Sequence, residues 1–271
     1  MPFGRNSPHP VGEIITNDLA RTGQFNPVDP RAFPQYPESS EQIDWEAWRV
    51  RDIFYVVVGR VAQNGVGWEL QYELIDTANK TVVSGLSYPR VGERDLRRAA
   101  HQIADRILKD VTGLPGAFDS RLAYVSRIGR GESATYRLVV ADSDGYGPET
   151  VLTSRGQPIL SPDWSPDGRR IAYTLFNGIR RAIWVHDIVS NNRYKIAEYK
   201  GINGAPSWSP DGQQLAVSLS RDGSPDIYLV NANGANLRKI ASVPRANDTE
   251  PCWSSDGSTL YFVSDRGGTP Q

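Results

Sequence analysis

Apolar positions along this chain change their period twice. Between residues 10 and 22, Val11, Ile14, Ile15 and Leu19 recur at spacings of three and four, which predicts an amphipathic helix stopped near Gly23. Met1-Pro2-Phe3 reads as the tail of a strand, and Phe25–Val28 as a short extended piece. Residues 29–43 are rich in Pro, Ser and Gln and read as a surface loop. A short helix is expected over 44–51, with Asp44 as its cap. The period then becomes that of strands. Ile53–Gly59 is a continuous, β-branched-rich apolar run that suits a strand covered on at least one side. Trp68, Leu70, Tyr72 and Leu74 alternate with Glu69, Gln71 and Glu73, so a strand with one buried and one wet face is expected. A third strand, Thr81–Tyr88, follows a turn at 77–80. Helical spacing returns over 93–111, where Leu96, Ala100, Ile103, Ile107 and Val111 form a stripe that Gly113 ends. On that helix His101 falls on the polar side, four residues from Arg97 and from Asp105, and reads as solvated. These elements make a small α/β domain over 1–112, a mixed sheet with helices packed on it, followed by a linker at 113–120.

From Arg121 onward the pattern is all strand, and it repeats. Asp163-Trp164-Ser165-Pro166-Asp167-Gly168, Ser207-Trp208-Ser209-Pro210-Asp211-Gly212 and Cys252-Trp253-Ser254-Ser255-Asp256-Gly257 are each followed by an apolar triplet. Their tryptophans are 44 and 45 residues apart, the length of one four-stranded propeller blade. Within each unit, Asp tolerates the turn and bonds its own backbone, while Gly accepts positive φ. A large Trp just before the turn is suited to packing between blades, so Trp164, Trp208 and Trp253 are expected in the inter-blade core. Asp142, Asp187 and Asn231 close a second repeated strand at the same period. Each blade is therefore expected to run from an inner strand ending at Trp, through the Asp-Gly turn, to second, third and outer strands. The aspartates read as turn residues and not as isolated catalytic carboxylates.

The first blade, with strands at Arg121–Ser126, Tyr136–Asp142 and Thr150–Ser154, has no such inner strand before it, and the last stops partway. About three and a fraction blades fall short of a closed ring, and an open edge leaves strand and apolar surface unpaired. A fragment of a longer chain is expected, over 121–271 as a partial propeller.

Bulk composition narrows the chemistry. The 30 basic and 31 acidic residues of the 271 leave a formal charge of −1 and no basic run, so no nucleic-acid partner is suggested. No apolar run approaches a membrane span, and Met1–Gly4 has the pattern of no secretory leader. A lone cysteine, Cys252, excludes an internal disulfide and is expected as a small buried residue. The three histidines, His9, His101 and His186, form no cluster with cysteine. No metal site, cofactor site or catalytic residue is assigned.

A small α/β domain joined to Trp-Ser-Pro-Asp-Gly blades resembles the TolB family over essentially the whole length. The resemblance is carried by Pro2-Phe3, Ile14-Ile15, Asp18-Leu19 and Gly23–Pro27, by Val57–Val61 and Leu74–Thr77, by the junction Thr112–Phe118 with Arg121–Val125, and by Asp142–Tyr146. It implies a six-bladed propeller in a non-catalytic periplasmic component of the Tol-Pal system. Such a protein would bind the lipoprotein Pal at the propeller mouth and TolA through the N-terminal region, and other outer-membrane proteins are further candidate partners. It would maintain the outer membrane and its constriction in cell division. The TolA-contacting segment and the leader lie upstream of Met1 in that family. The Pal-facing residues are expected in two loops entering the inner strands, Asn203, Gly204, Ala205 and Pro206, and Asp248, Thr249 and Glu250. The family often has His where this chain has Ile202. The competing reading is the propeller part of a prolyl-oligopeptidase-type serine peptidase. That enzyme needs a Gly-x-Ser-x-Gly elbow, which does not occur here.

Overall fold

The computed structural model describes residues 3, 7–241 and 243–271, so the expected strand tail at the start lies, except for Phe3, outside the described residues. The chain divides into two compact units. The first is Met1–Ser120 with Asp142–Asp144, and the second is Arg121–Ala141 with Gly145–Gln271.

The first unit contains α1 (Val11–Arg21), α2 (Trp45–Arg49), β1 (Tyr55–Asn64), β2 (Gly67–Asp76), β3 (Thr81–Val91) and α3 (Leu96–Thr112). The caps follow from the residue types. Asp44 accepts from the Ala47 N–H at 3.2 Å at the start of α2. Gly113 ends α3 at φ 77°, where its N–H reaches the Lys109 carbonyl. The sheet order is β1-β2-β3. Both pairings are antiparallel, where a mixed sheet was expected. The connections at 65–66 and 77–80 are far too short for the crossover that a parallel pair needs. One face of the sheet carries Val61, Leu70, Tyr72 and Leu74 against the buried stripes of α1 and α3. The other face is not the wet one expected from the alternation. Ile43 and Trp48 pack there on Val56, Val58 and Ile75, and Glu73 accepts from the Ser40 N–H at 2.7 Å. The segment read as surface loop folds back over the sheet, because Phe33, Trp45 and Trp48 need cover.

The second unit is built of antiparallel sheets. Strands β4 (Arg121–Ile128), β5 (Thr135–Asp142) and β6 (Glu149–Arg155) form the first. Strands β7 (Ile159–Trp164), β8 (Arg170–Asn177), β9 (Arg180–Asp187) and β10 (Asn192–Ala197) form the second. The third consists of β11 (Asn203–Trp208), β12 (Gln214–Leu219), β13 (Asp226–Asn231) and β14 (Arg238–Ala241). A last pair, β15 (Asp248–Trp253) and β16 (Leu260–Ser264), begins another. Consecutive strands pair in order, and β11 lies against both β7 and β15. These are blades of an incomplete propeller, with the first strands as neighbours.

The repeated turn has one hydrogen-bond scheme at all three sites. The hydroxyls of Ser165, Ser209 and Ser254 donate to Asp167, Asp211 and Asp256 at 2.5, 2.6 and 2.6 Å. Each carboxylate also accepts a backbone N–H two residues on, at 3.0 Å. These donors hold the carboxyls below the usual range, and the Ser254 hydroxyl contributes most to lowering Asp256 to about 2. Gly168, Gly212 and Gly257 sit at φ 65°, 69° and 72°, which a side chain would strain. The third turn forms equally with Ser255 in the proline place, so proline presets the turn without being required.

The three tryptophans differ in burial. Trp208 is 5% exposed and packs among Ala172, Ile183 and Val185 of one sheet and Leu215 and Val217 of the next. Trp164 and Trp253 are half-buried, so the inter-blade core expected of all three is complete only at Trp208. Guanidinium groups lie over two of the rings, Arg121 over Trp164 at 4.9 Å and Arg170 over Trp208 at 4.5 Å. The matching position for Trp253 is Gln214, which brings no cation, and Trp253 instead donates from its indole to the Ser207 carbonyl at 3.2 Å. Cys252 is exposed and not buried, because alternation along β15 points it away from the neighbouring sheet.

Candidate protein-binding end of the propeller

Strand register places two sets of residues at opposite ends of the blades. Ile159 pairs with Leu175 and Asn203 with Leu219, so the starts of β7 and β11 stand beside the ends of β8 and β12. The β8–β9 and β12–β13 turns and the connections leading into β11 and β15 therefore share one end. The Trp-Ser-x-Asp-Gly turns occupy the other, about 20 Å away for a six-residue strand.

Asn203–Pro206 and Asp248–Glu250 were expected in loops. They are instead the opening residues of β11 and β15. Asn203 is fully buried and clamps the preceding connection. Its Nδ2 donates to the carbonyls of Tyr199 at 2.7 Å and Gly201 at 3.2 Å, and its Oδ1 accepts from the Tyr199 N–H at 2.8 Å. Asp248 is likewise fully buried, with both oxygens 2.9 Å from Arg266 Nη2. Pro206 is buried, Gly204, Ala205 and Thr249 are half-buried, and Glu250 is exposed. Of the seven residues, Asn203 and Asp248 shape this end from within, and Glu250 is the exposed one.

A feature that the tryptophan motif does not reveal lies one step upstream. Ser161, Ala205 and Glu250 sit at φ 49°, 49° and 50°, a region disfavoured for such side chains. Pairing shifts register at each of them, between Leu160 and Asp163, Gly204 and Ser207, and Thr249 and Cys252. Each is followed by proline (Pro162, Pro206, Pro251), which has no N–H for the ladder and bars the preceding residue from right-handed helical angles. A β-bulge is the outcome, and the repeat is properly x-Pro-x-Trp-Ser-x-Asp-Gly. Ala205→Gly is accordingly expected to hold or raise the stability, by up to about 1 kcal/mol of relieved strain. The same change in a regular strand costs about 0.5–1 kcal/mol. Denaturant unfolding reads the difference, and a loss of the regular-strand size would show that the bulge stores no strain.

Carboxylates here are tied into structure. Asp163 accepts from the Trp208 N–H at 2.6 Å, linking β7 to β11, and burial pushes its carboxyl up against the pull of that N–H. Lys239 bridges Asp226 at 2.7 Å and Asp222 at 3.3 Å, and Tyr228 donates to Asp222 at 2.6 Å. The Asp226 hydrogen bond contributes most to raising the Lys239 ammonium.

In the first unit, His101 is buried and not solvated as expected. Its Nδ1 lies 2.6 Å from Asp18 Oδ2, and both side chains are at most 3% exposed. The reason is α1, which lies against the side of α3 that carries His101. Asp18 is also bonded by Arg21, while Arg97 bonds Asp144 and reaches Asp142 at 3.4 Å. Burial pulls the imidazolium down, but the hydrogen bond and charge of Asp18, with the charge of Asp144, leave its pKa above the ordinary 6.5. His101, Asp142 and Asp144 are the one grouping, among the described residues, near enough to share a cation, with ligand atoms within 4.8 Å. Arg97 already sits on both carboxylates, and a cation there would meet its charge.

An α/β domain followed by blades with Pro-bulged inner strands defines a propeller protein with a separate amino-terminal domain. The family model of the TolB amino-terminal domain matches residues 2–83, and that of the TolB beta propeller domain matches residues 108–271. The chain belongs to the TolB family. It is 42% identical over 263 residues to the Tol-Pal system protein TolB of Bordetella pertussis, covering 96% of this chain and 58% of that protein. It is 45% identical over 201 residues to the protein of the same name from Thioalkalivibrio sulfidiphilus, covering 74% of this chain and 46% of the relative. The crystal structure of TolB from Acinetobacter baumannii superposes with a TM-score of 0.85 at 35% identity, over 98% of this chain and 65% of that one. The chain thus spans about half to two thirds of the length of these relatives.

Proposed function

We propose that the chain serves as a non-catalytic, periplasmic protein-binding component of the Tol-Pal system. In this reading the shared end of the blades binds the lipoprotein Pal, and the N-terminal region binds TolA. The protein would help to keep the outer membrane intact and drawn inward during cell division. The observation that carries the reading is the family membership over both domains. Its physical support is a propeller end whose loops are held from beneath, by Asn203 and by the Asp248–Arg266 pair. Loops fixed in this way lose little entropy on docking a folded partner. No helix among the described residues is long and apolar enough to cross a membrane. Both matching family models are TolB's, which leaves the peptidase reading without an observation in its favour.

The test is capture of the purified periplasmic domain of Pal by the full-length gene product. Ala205→Arg, at a half-buried position of β11, is expected to abolish capture with the unfolding midpoint unchanged. Undiminished capture by this variant and by Thr249→Arg would move Pal to another surface, and failure of the parent protein to capture Pal would sink the reading.

A further inference from the structure

Beside the start of β11, three segments enclose a cavity of about 570 Å3. They are the β8–β9 turn with the first residues of β9 (Ile179, Arg180, Arg181), the connection from β10 to β11 (Glu198–Ile202) and Ser220 at the end of β12. The lining contains the cations Arg180, Arg181 and Lys200 and the single acid Glu198, and Glu198 is already engaged by Lys195. Arg181 is stacked on Phe176 at 4.8 Å, which fixes it in place. Among the described residues, neither Arg180 nor Lys200 is in a salt bridge. Arg221 continues the positive rim, 4.7 Å over the Tyr199 ring, although Asp222 shares its charge.

The apolar content of the same surface needs a reason. Ile179 is 100% exposed at the tip of its turn, and Tyr199 is more than a third exposed. Tyr and Arg beside an exposed aliphatic tip is the composition of a contact centre and not of an idle turn. The walls are firm. Asn203 clamps Tyr199 and Gly201 from below, and the Ile202 N–H is bonded to the Ser220 hydroxyl at 2.6 Å. A preorganised, net positive, part-aromatic hollow fits carboxylate side chains set on a folded surface with an apolar neighbour for Ile179.

We propose that this cavity is the acid-reading part of the partner surface, and that it takes Asp or Glu side chains of the protein bound at this end of the propeller. The inference rests on the Pal reading above and adds the chemistry by which the partner is recognised. Opposite charges brought together at a rim raise the association rate and make it fall with salt.

The experiment measures the affinity of the full-length gene product for the purified periplasmic domain of Pal at rising salt, for the parent and for Arg180→Glu/Lys200→Glu. The parent's affinity is expected to fall with salt. The double variant is expected to bind at least about tenfold more weakly at low salt, with a flattened salt dependence and an unchanged unfolding midpoint. The pair Arg180→Gln/Lys200→Gln, which removes charge without reversing it, covers a folding failure of the first variant and should show an intermediate loss. Parent binding to Pal with both variants unaltered overturns the inference and leaves the Pal reading standing. Absence of Pal binding by the parent removes both, and is seen in the parent alone. Binding of the parent to phosphatidylglycerol vesicles, lost in the variants while their Pal affinity is kept, overturns it in favour of a lipid surface.

Discussion

Replacing Trp208 with alanine is expected to cost about 3–5 kcal/mol of unfolding free energy, the range for removing a large buried aromatic. The ring is 5% exposed and joins two sheets, with Ala172, Ile183 and Val185 on one side and Leu215 and Val217 on the other. Its removal leaves a hole lined by groups from two blades, which cannot collapse together without shifting strands. The Arg170 guanidinium at 4.5 Å would also lose its ring. Trp253→Ala should cost distinctly less, because Trp253 is half-buried and its neighbour Gln214 brings no cation. Chemical denaturation of the two variants checks both the size and the order. Equal losses would show that depth of burial does not separate the repeats, and a change within error at Trp208 would show that the ring does not join the sheets.

Asp18→Asn is expected to have the second largest effect, about 2–3 kcal/mol, since hydrogen bonds to charged groups contribute about 1.5–3 kcal/mol and here both partners are buried. It also carries a pH signature. His101 has a folded pKa above its ordinary 6.5, so the folded protein holds this proton more tightly than the unfolded chain. The resulting stability is fully present below about 6.5 and is lost as pH rises through the folded value. The groups that face the imidazole are Asp18 from α1 and Asp144, with Arg97 opposing the charge from α3. Stability of the parent should therefore decline on the alkaline side of 6.5, and Asp18→Asn should flatten that decline. Unfolding free energies across this window decide the matter. An identical slope in the parent and the variant would show that the pair carries no linked proton.

Much of the fold is legible in the sequence because local chemistry and global packing agree. The stripe of Leu96, Ala100, Ile103 and Ile107 is buried as its spacing requires. The Trp-to-Trp period becomes a repeated blade, and the Ser-x-Asp-Gly turn takes one hydrogen-bond scheme three times. What escaped reading depended on which element lies opposite. His101 sits between Ala100 and Gln102, and nothing on α3 announces a partner. The available signal was Asp18, a carboxylate on the apolar stripe of α1 beside Ile14, Ile15 and Leu19, where it needs a buried counterpart. Cys252 followed alternation along its strand and not the apolar character of its neighbours.

The candidate site divides in the same way. Its position at the start of the inner strands could be read from the repeat, since strand order alone places those residues at one end. Which of them face solvent could not. Asn203 and Asp248 turned inward because the connection at 199–201 and Arg266 needed partners there, contacts 2 to 18 residues apart in sequence. The bulges at Ser161, Ala205 and Glu250 do have a local cause, the proline that follows each, yet their left-handed angles hold only within the surrounding sheets. The cationic cavity at Arg180, Arg181 and Lys200 is a wholly tertiary product. Its cations come from two segments about twenty residues apart, too few and too scattered to register as charge patterning, and antiparallel register brings them to one end of the blades. The sequence by itself determined the elements, their repeat and the end of the blades at which the candidate residues lie. Only the tertiary structure decided which side chains hold that end together and which stay exposed, because burial and pairing belong to neighbours that the chain supplies from a distance.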